Sequence, residues 1–150
     1  MRIVLFQPEI AQNVGAVMRL GACMGVGVDL IEPLGFAWDD RRVRRTAMDY
    51  IDHVEVARFD DFESWSLARP VGRRLLLTTK GKASPYEFAF EADDLLILGK
   101  ESAGVPEDVA ARCDHKLRLP IRPQVRSLNL ATAAALVLGE ALRQTGELPR

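Results

Sequence analysis

Three stretches of this chain place polar side chains and glycines directly after short apolar runs: residues 7–25 (QPEIAQNVGAVMRLGACMG), 95–106 (LLILGKESAGVP) and 117–137 (LRLPIRPQVRSLNLATAAALV). Open α/β sheets hold ligands just beyond the carboxyl ends of their strands, which is where such junctions fall. Gly99 and Gly104 bracket Glu101 and Ser102, and glycines there permit close backbone approach to a ligand. Arg19 is the only charge between Asn13 and Val28. A guanidinium in an apolar helix calls for a specific partner, because an unpaired buried charge is costly. Each stretch taken singly also fits a plain strand–loop–helix turn. Asn13 also fits a helix N-cap, and Arg19 also fits a pairing with Glu101 or with a phosphate.

Other chemistries lack their residues. A phosphate-binding P-loop needs glycine five residues before Gly81-Lys82 and a hydroxyl after it, where this chain has Leu76 and Ala83. Gly25-Val-Gly27 begins like a dinucleotide fingerprint, but position 30 is leucine and the pair follows a helix. Cys113-Asp-His115 lacks further zinc ligands, and His53 is distant, so no metal is expected; His115 reads as a surface or strand-edge residue. No Gly-x-Ser-x-Gly elbow occurs.

The elements that must position these junctions follow from the apolar pattern. Runs at Ile3–Phe6, Val28–Ile31, Val54–Phe59, Leu75–Thr79, Leu95–Leu98 and Lys116–Leu119 read as strands. Helices are expected over Asn13–Met24, Asp40–Ala47, Asp61–Leu67, Pro106–Ala111 and Ser127–Arg143, with Pro106 in a first turn and Ser127 as an N-cap. The alternation predicts an α/β fold in one domain, residues 1–150, with a mainly parallel sheet flanked by helices. The helices around residues 13–28 and 128–139 are apolar on nearly all sides and need cover on nearly all sides. A second subunit in a homodimer is the expected cover; a central helix sandwiched within one chain is the alternative.

A formal net charge of -1 means that any nucleic acid must be held by a local basic surface. Two cysteines in unrelated segments favour a reducing compartment, and no apolar run is long enough for a signal peptide or a membrane span. A cytoplasmic protein is expected.

Taken together and in order, the three stretches resemble the three motifs of the SPOUT-superfamily RNA 2′-O-methyltransferases. IEPLGFAWDDRRVRRTAMDY (residues 31–50) and LTTKG (residues 77–81) resemble the short stand-alone branch acting on the wobble cytidine or uridine, position 34, of tRNA. The resemblance implies S-adenosylmethionine as cofactor, tRNA (the anticodon stem-loop) as partner and a C-terminal trefoil knot, which general folding rules would not suggest. It implies a cofactor site at Leu77, Thr78, Lys80, Gly99, Gly104, Leu119 and Ser127, with backbone contacts suiting Leu77 and Leu119. It implies a catalytic set of Arg19, Asn13, Glu101, Ser127 and Asn129. Family practice makes the arginine a base, but a guanidinium stays protonated, so stabilisation of the developing 2′-alkoxide is the expected role of Arg19. Asn13 and Asn129 would orient Arg19 or the ribose, and Glu101 would fix a basic group. Gly139 stands where some relatives have a tyrosine, so a tyrosine-dependent role is lost or falls elsewhere. Arg41, Arg42, Arg44, Arg45 and Arg126 are the expected RNA contacts, with Phe36 and Trp38 available to stack on a base. The arginine run also fits a solvated helix. The same chemistry at another tRNA or ribosomal RNA ribose, and a dimeric RNA- or nucleotide-binding module without catalysis, are the alternative functions.

Overall fold

A computed structural model describes the backbone of residues 1–150 and every side chain except Arg42, Arg44 and residues 46–49. Six strands form one sheet: β1 (Arg2–Phe6), β2 (Gly27–Ile31), β3 (Val56–Phe59), β4 (Arg74–Leu77), β5 (Leu95–Leu98) and β6 (His115–Leu117). Their spatial order is β3-β2-β1-β5-β4-β6, and every pairing is parallel. Parallel strands covered on both faces read as unbroken apolar runs, and Leu95–Leu98 is buried at every position.

Helices α1 (Ala11–Met24), α2 (Asp40–Ala47), α3 (Phe62–Ala68), α4 (Glu107–Ala111) and α5 (Leu130–Thr145) complete three layers, with a 3-10 helix at Met48–His53. One face of the sheet (Ile3, Leu5, Val28, Leu30, Leu96, Leu98) packs on α1 and α5 through Val14, Val17, Met18, Ala134, Val137 and Leu138. The other (Val4, Phe6, Ile31, Leu76, Ile97) packs on Phe62 and Trp65 of α3 and Val109 of α4.

Several helix ends differ from expectation, each for a visible reason. Helix α1 begins at Ala11, so Asn13 is not its N-cap; the cap is Ile10, which has no capping side chain. Asn129, not Ser127, caps α5, accepting from the amides of Ala131 and Thr132. Pro106 is the N-cap of α4 and precedes its first turn. Helix α1 stops at Gly25, whose φ of 69° closes the last turn in the left-handed region.

The amino edge of the sheet is fastened by ion pairs. Asp29, fully buried in β2, accepts from Arg2, from the Trp65 indole at 3.0 Å and from Arg69 at 2.9 Å. Asp94 is held by Arg73 in the same way. Glu91, Asp93 and Asp94 bring carboxylate oxygens within 4.8 Å of one another, but Arg73 already pairs with two of the three.

Candidate functional site

The order of connection reverses between β1 and β5, so the loops after these strands part at the carboxyl edge. Ligands commonly enter such a crevice. Here two carboxylates lace it. Glu101 accepts from the backbone amides of Glu9 (2.8 Å) and Ile10 (3.3 Å) and from Asn13 Nδ2 (3.1 Å). A helix start lacking its own cap leaves amides unsatisfied, and Glu101 brings acceptors and negative charge to them from the loop after β5. Glu9 in turn accepts from the amide (2.9 Å) and hydroxyl (2.8 Å) of Ser102. These bonds, the amide first, hold the Glu9 carboxyl below its ordinary value.

Asn13 Oδ1 accepts from Asn129 Nδ2 at 2.8 Å, and Asn13 is buried. A continuous string of hydrogen bonds therefore joins the loop after β5, the start of α1 and the start of α5. Glu101, Asn13 and Asn129 come together as the motifs suggested. Within the chain Glu101 accepts from backbone and side-chain amides rather than from a basic group.

The loops after β4 and β6 make the cavity of this edge. Leu117 O accepts from Thr78 N at 2.9 Å on one side, while Arg118 N donates to Ala83 O at 2.8 Å on the other. Residues 117–118 thus run between β4 and the loop that follows it. Beside them lies a groove of about 500 Å³ lined by Gly81, Lys82, Ser84, Arg118, Pro120 and Ile121. Its lining combines apolar Ile121 and Pro120 with two cations and a hydroxyl. Of the expected cofactor residues, Thr78, Leu77 and Leu119 are half-buried at the base of these loops; Lys80, Gly104 and Ser127 are exposed. Gly99 is held against Gly104 by paired 2.9 Å bonds between Lys100 and Gly104, and a Cβ at Gly99 would collide with the Gly104 backbone. That cradle exists only because residue 99 has no side chain.

Arg19 sits elsewhere. It is exposed, and lines a second depression of about 450 Å³ with Ala16, Leu20, Cys23, Ala131, Thr132 and Ala135, between α1 and α5. Its guanidinium stacks 4.8 Å from the centre of the Tyr50 ring. The premise that Arg19 is a buried charge is thus corrected. Gly139 lies on the same helix as this depression, and a Cβ there would meet open space. Next to it, Glu140 is pushed down to about 2 by hydrogen bonds from Arg143 and then Gln144.

Among the expected RNA contacts, Arg41, Arg45 and Arg126 are exposed. The side chains of Arg42 and Arg44 lie outside the described residues. Phe36 and Trp38 are half-buried against the core, and Arg58 stacks on the Trp38 ring at 4.7 Å. His115 is exposed at the start of β6, edge-on to Phe88, as a strand-edge residue should be. Arg118, Ser84, Glu9 and Tyr50 were missed by the sequence reading. Glu9 had a signal, a carboxylate in the turn directly after β1. Tyr50 had none, because its partner lies 31 positions away in the chain (50 − 19).

The chain matches the SpoU rRNA Methylase family over residues 1–139. A protein of Beijerinckia indica named tRNA (cytidine(34)-2′-O)-methyltransferase is 49% identical, the match covering 99% of this chain and 94% of that one. The protein of that name in Escherichia coli K12 is 39% identical over 97% of this chain and 94% of its own. A solved structure described as giving insight into 2-OH methylation of C/U34 on tRNA superposes with a TM-score of 0.89 at 42% identity, covering 95% of this chain and 94% of that one. The SpoU methyltransferase AviRb of Streptomyces viridochromogenes, solved with AdoMet, shares the fold at a TM-score of 0.85 and 24% identity over 96% of this chain and 60% of that one. With its all-parallel sheet, laced carboxyl edge and near end-to-end similarity to these proteins, this chain belongs to the SpoU methylase family.

Proposed function

We propose that this protein transfers a methyl group from S-adenosylmethionine to the ribose 2′-hydroxyl of the wobble nucleotide, a cytidine or uridine derivative at position 34 of tRNA. The observation that carries the reading is the carboxyl edge of the sheet, where the loops after β4 and β6 interlock beside a groove, in a chain similar end to end to wobble-position methyltransferases. Residues 1–150 act as one methyltransferase unit, and the cytoplasm, where its substrate is found, is the compartment. Two free cysteines suit that compartment.

The residues present fit the cofactor. Gly99 packs directly on the Gly104 backbone and so sets the shape of the loop after β5, and the half-buried Leu77 and Leu119 leave main-chain groups as their polar offer. Leu77, Thr78, Lys80, Gly99, Gly104, Leu119 and Ser127 would hold it. When bound, the cofactor supplies a methyl carbon on a sulfonium centre. What the chain must do is orient the attacking oxygen and stabilise its developing charge. Arg19 does the second with its N–H donors, and remains protonated throughout. Asn13, Glu101, Ser127 and Asn129 set the spacing of the loops that carry the reactants. Strand end 117–118, held on both sides by one excursion of the chain, supports the threading that a trefoil knot requires.

Arg19 and the cofactor loops lie at separate depressions of one chain. A homodimer joined through the exposed faces of α1 and α5 would bring them together across the subunit boundary. Exposed Leu136 and the small residues Ala16, Thr132 and Ala135 suit close helix packing there.

The anticodon stem-loop would be gripped by Arg41, Arg42, Arg44, Arg45 and Arg126 through phosphates. Incubation with labelled cofactor and total RNA, followed by mapping of methylated riboses, tests the reading. Methylation of nucleotide 34 is expected. Label confined to another tRNA position or ribosomal RNA would move the target, and cofactor binding without transfer would make the protein a binding module.

A further inference from the structure

Gly81 fits its place only without a side chain, because a Cβ there would stand 2.6 Å from the Leu117 carbonyl carbon. The loop after β4 therefore lies directly on the end of β6 and carries Lys82 into the same groove as Arg118. Both are exposed, and among the described residues neither pairs with a carboxylate. Arg2, Arg58, Arg69, Arg73, Arg112 and Arg143, by contrast, all do. No acidic residue lines the groove. Two like charges gathered there repel each other, and an anion between them replaces that repulsion with attraction. Ser84 adds a third donor: its hydroxyl oxygen accepts from the Tyr86 amide at 3.3 Å, which leaves the O–H to donate. The side chains thus present donors between the apolar walls of Pro120 and Ile121, a chemistry that fits an oxyanion; the guanidinium fork matches a phosphate in particular. Side chains alternate along an extended segment, and Leu117 and Leu119 pack toward the core beneath α1 and α5, so Arg118 faces away from them. An anion on Arg118 therefore lies across the strand end from Leu119, which favours the RNA backbone over the carboxylate of the cofactor.

We propose that Lys82, Arg118 and Ser84 form a phosphate subsite for the RNA backbone at the carboxyl end of β6. The inference rests on the reading of tRNA as the substrate. Thr78 N donates to Leu117 O at 2.9 Å, so the subsite is tied to the proposed cofactor loops and holds the strand close to them. It gives the RNA a second grip besides the arginines of residues 41–45, from a different part of the chain, and phosphate contacts of this kind fix the register in which a nucleic acid lies.

The test measures binding of tRNA to the full-length protein across a salt series, with S-adenosylhomocysteine affinity by calorimetry and the melting temperature beside it. In the double variant Lys82→Gln with Arg118→Gln, tRNA affinity is expected to fall roughly three- to thirtyfold, the range for two partly exposed charge-assisted contacts. The slope of log affinity against log salt should become shallower by about one, as for the loss of one phosphate contact. Cofactor-product affinity and melting temperature should stay at the parental values. Arg118→Lys, which keeps the charge, should keep the parental slope; so should Arg112→Gln, which removes an exposed charge already paired with Glu63. Unchanged tRNA affinity and slope in the double variant overturn the proposal. A parallel fall in cofactor-product affinity overturns it in favour of the cofactor carboxylate, and a lowered melting temperature in favour of a role in folding. An equal change of slope in Arg112→Gln overturns it by showing a general effect of charge. A parental protein that binds no tRNA removes the reading of the substrate and this proposal together, whereas one that methylates tRNA while the double variant binds it normally removes this proposal alone.

Discussion

Arg19 and Gly99 place opposite demands on the site, one for a charge and one for the lack of a side chain. Arg19→Ala removes the donor offered to the developing alkoxide, so kcat should fall roughly 10²- to 10³-fold while affinity for the cofactor product, measured by calorimetry, stays the same. Gly99→Val should do the reverse damage. Its Cβ would run into the Gly104 backbone, so cofactor affinity should fall at least about tenfold, as expected for even 1.4 kcal/mol of lost binding. The residue types of the site were legible in the sequence: Asn13, Glu101 and Asn129 do meet, across separations of 88 and 116 positions. Their partners were not. Nothing in a string of letters says that the Glu101 carboxylate will find the amides of Glu9 and Ile10, or that Arg19 will be exposed against a ring.

The elements owe their ends to side chains distant in sequence. The apolar runs located all six strands and α2 kept its expected bounds; the signal is strongest in β1, β2 and β5, which are buried on both sheet faces. The starts of α1 and α5 moved for lack of such a signal: Glu101 completes the first from another loop, and Asn129 competes with Ser127 for the second. The clamp at α1 carries a pH dependence. The folded Glu9 carboxyl lies below its ordinary value of 4.5, so its contribution is present above that pH and is lost as pH falls through the depressed folded value. Cofactor-product affinity should hold steady from neutral pH to about 5 and weaken below the ordinary carboxylate range; in Glu9→Gln, which cannot ionise, that acid limb should flatten. At the other edge of the sheet, Asp29→Ala would leave Arg2 and Arg69 facing each other across a buried site. Its cost should be about 3 kcal/mol in chemical denaturation, without change in the cofactor affinity of the folded protein.

At the scale of the whole molecule, strand order is what the sequence withheld. Six similar apolar runs can be laid side by side in many orders, and only the packed structure places β1 beside β5 and β6 outside β4. The apolar character of α1 and α5 did foretell a face in need of cover. If a second copy supplies it, exposed Cys23, which lines the depression beside Arg19, should be alkylated more slowly as protein concentration rises. Cys113, whose thiol burial pushes up to about 11, should react slowly at any concentration near neutral pH. RNA binding should weaken steeply with salt, and less steeply after removal of Arg41 and Arg45. The most direct measurement is nucleotide-resolution mapping of the methyl group that the purified protein places on tRNA. A 2′-O-methyl ribose at position 34, absent with Arg19→Ala, is the expected result; an unmodified position 34 under saturating cofactor would contradict the proposed function.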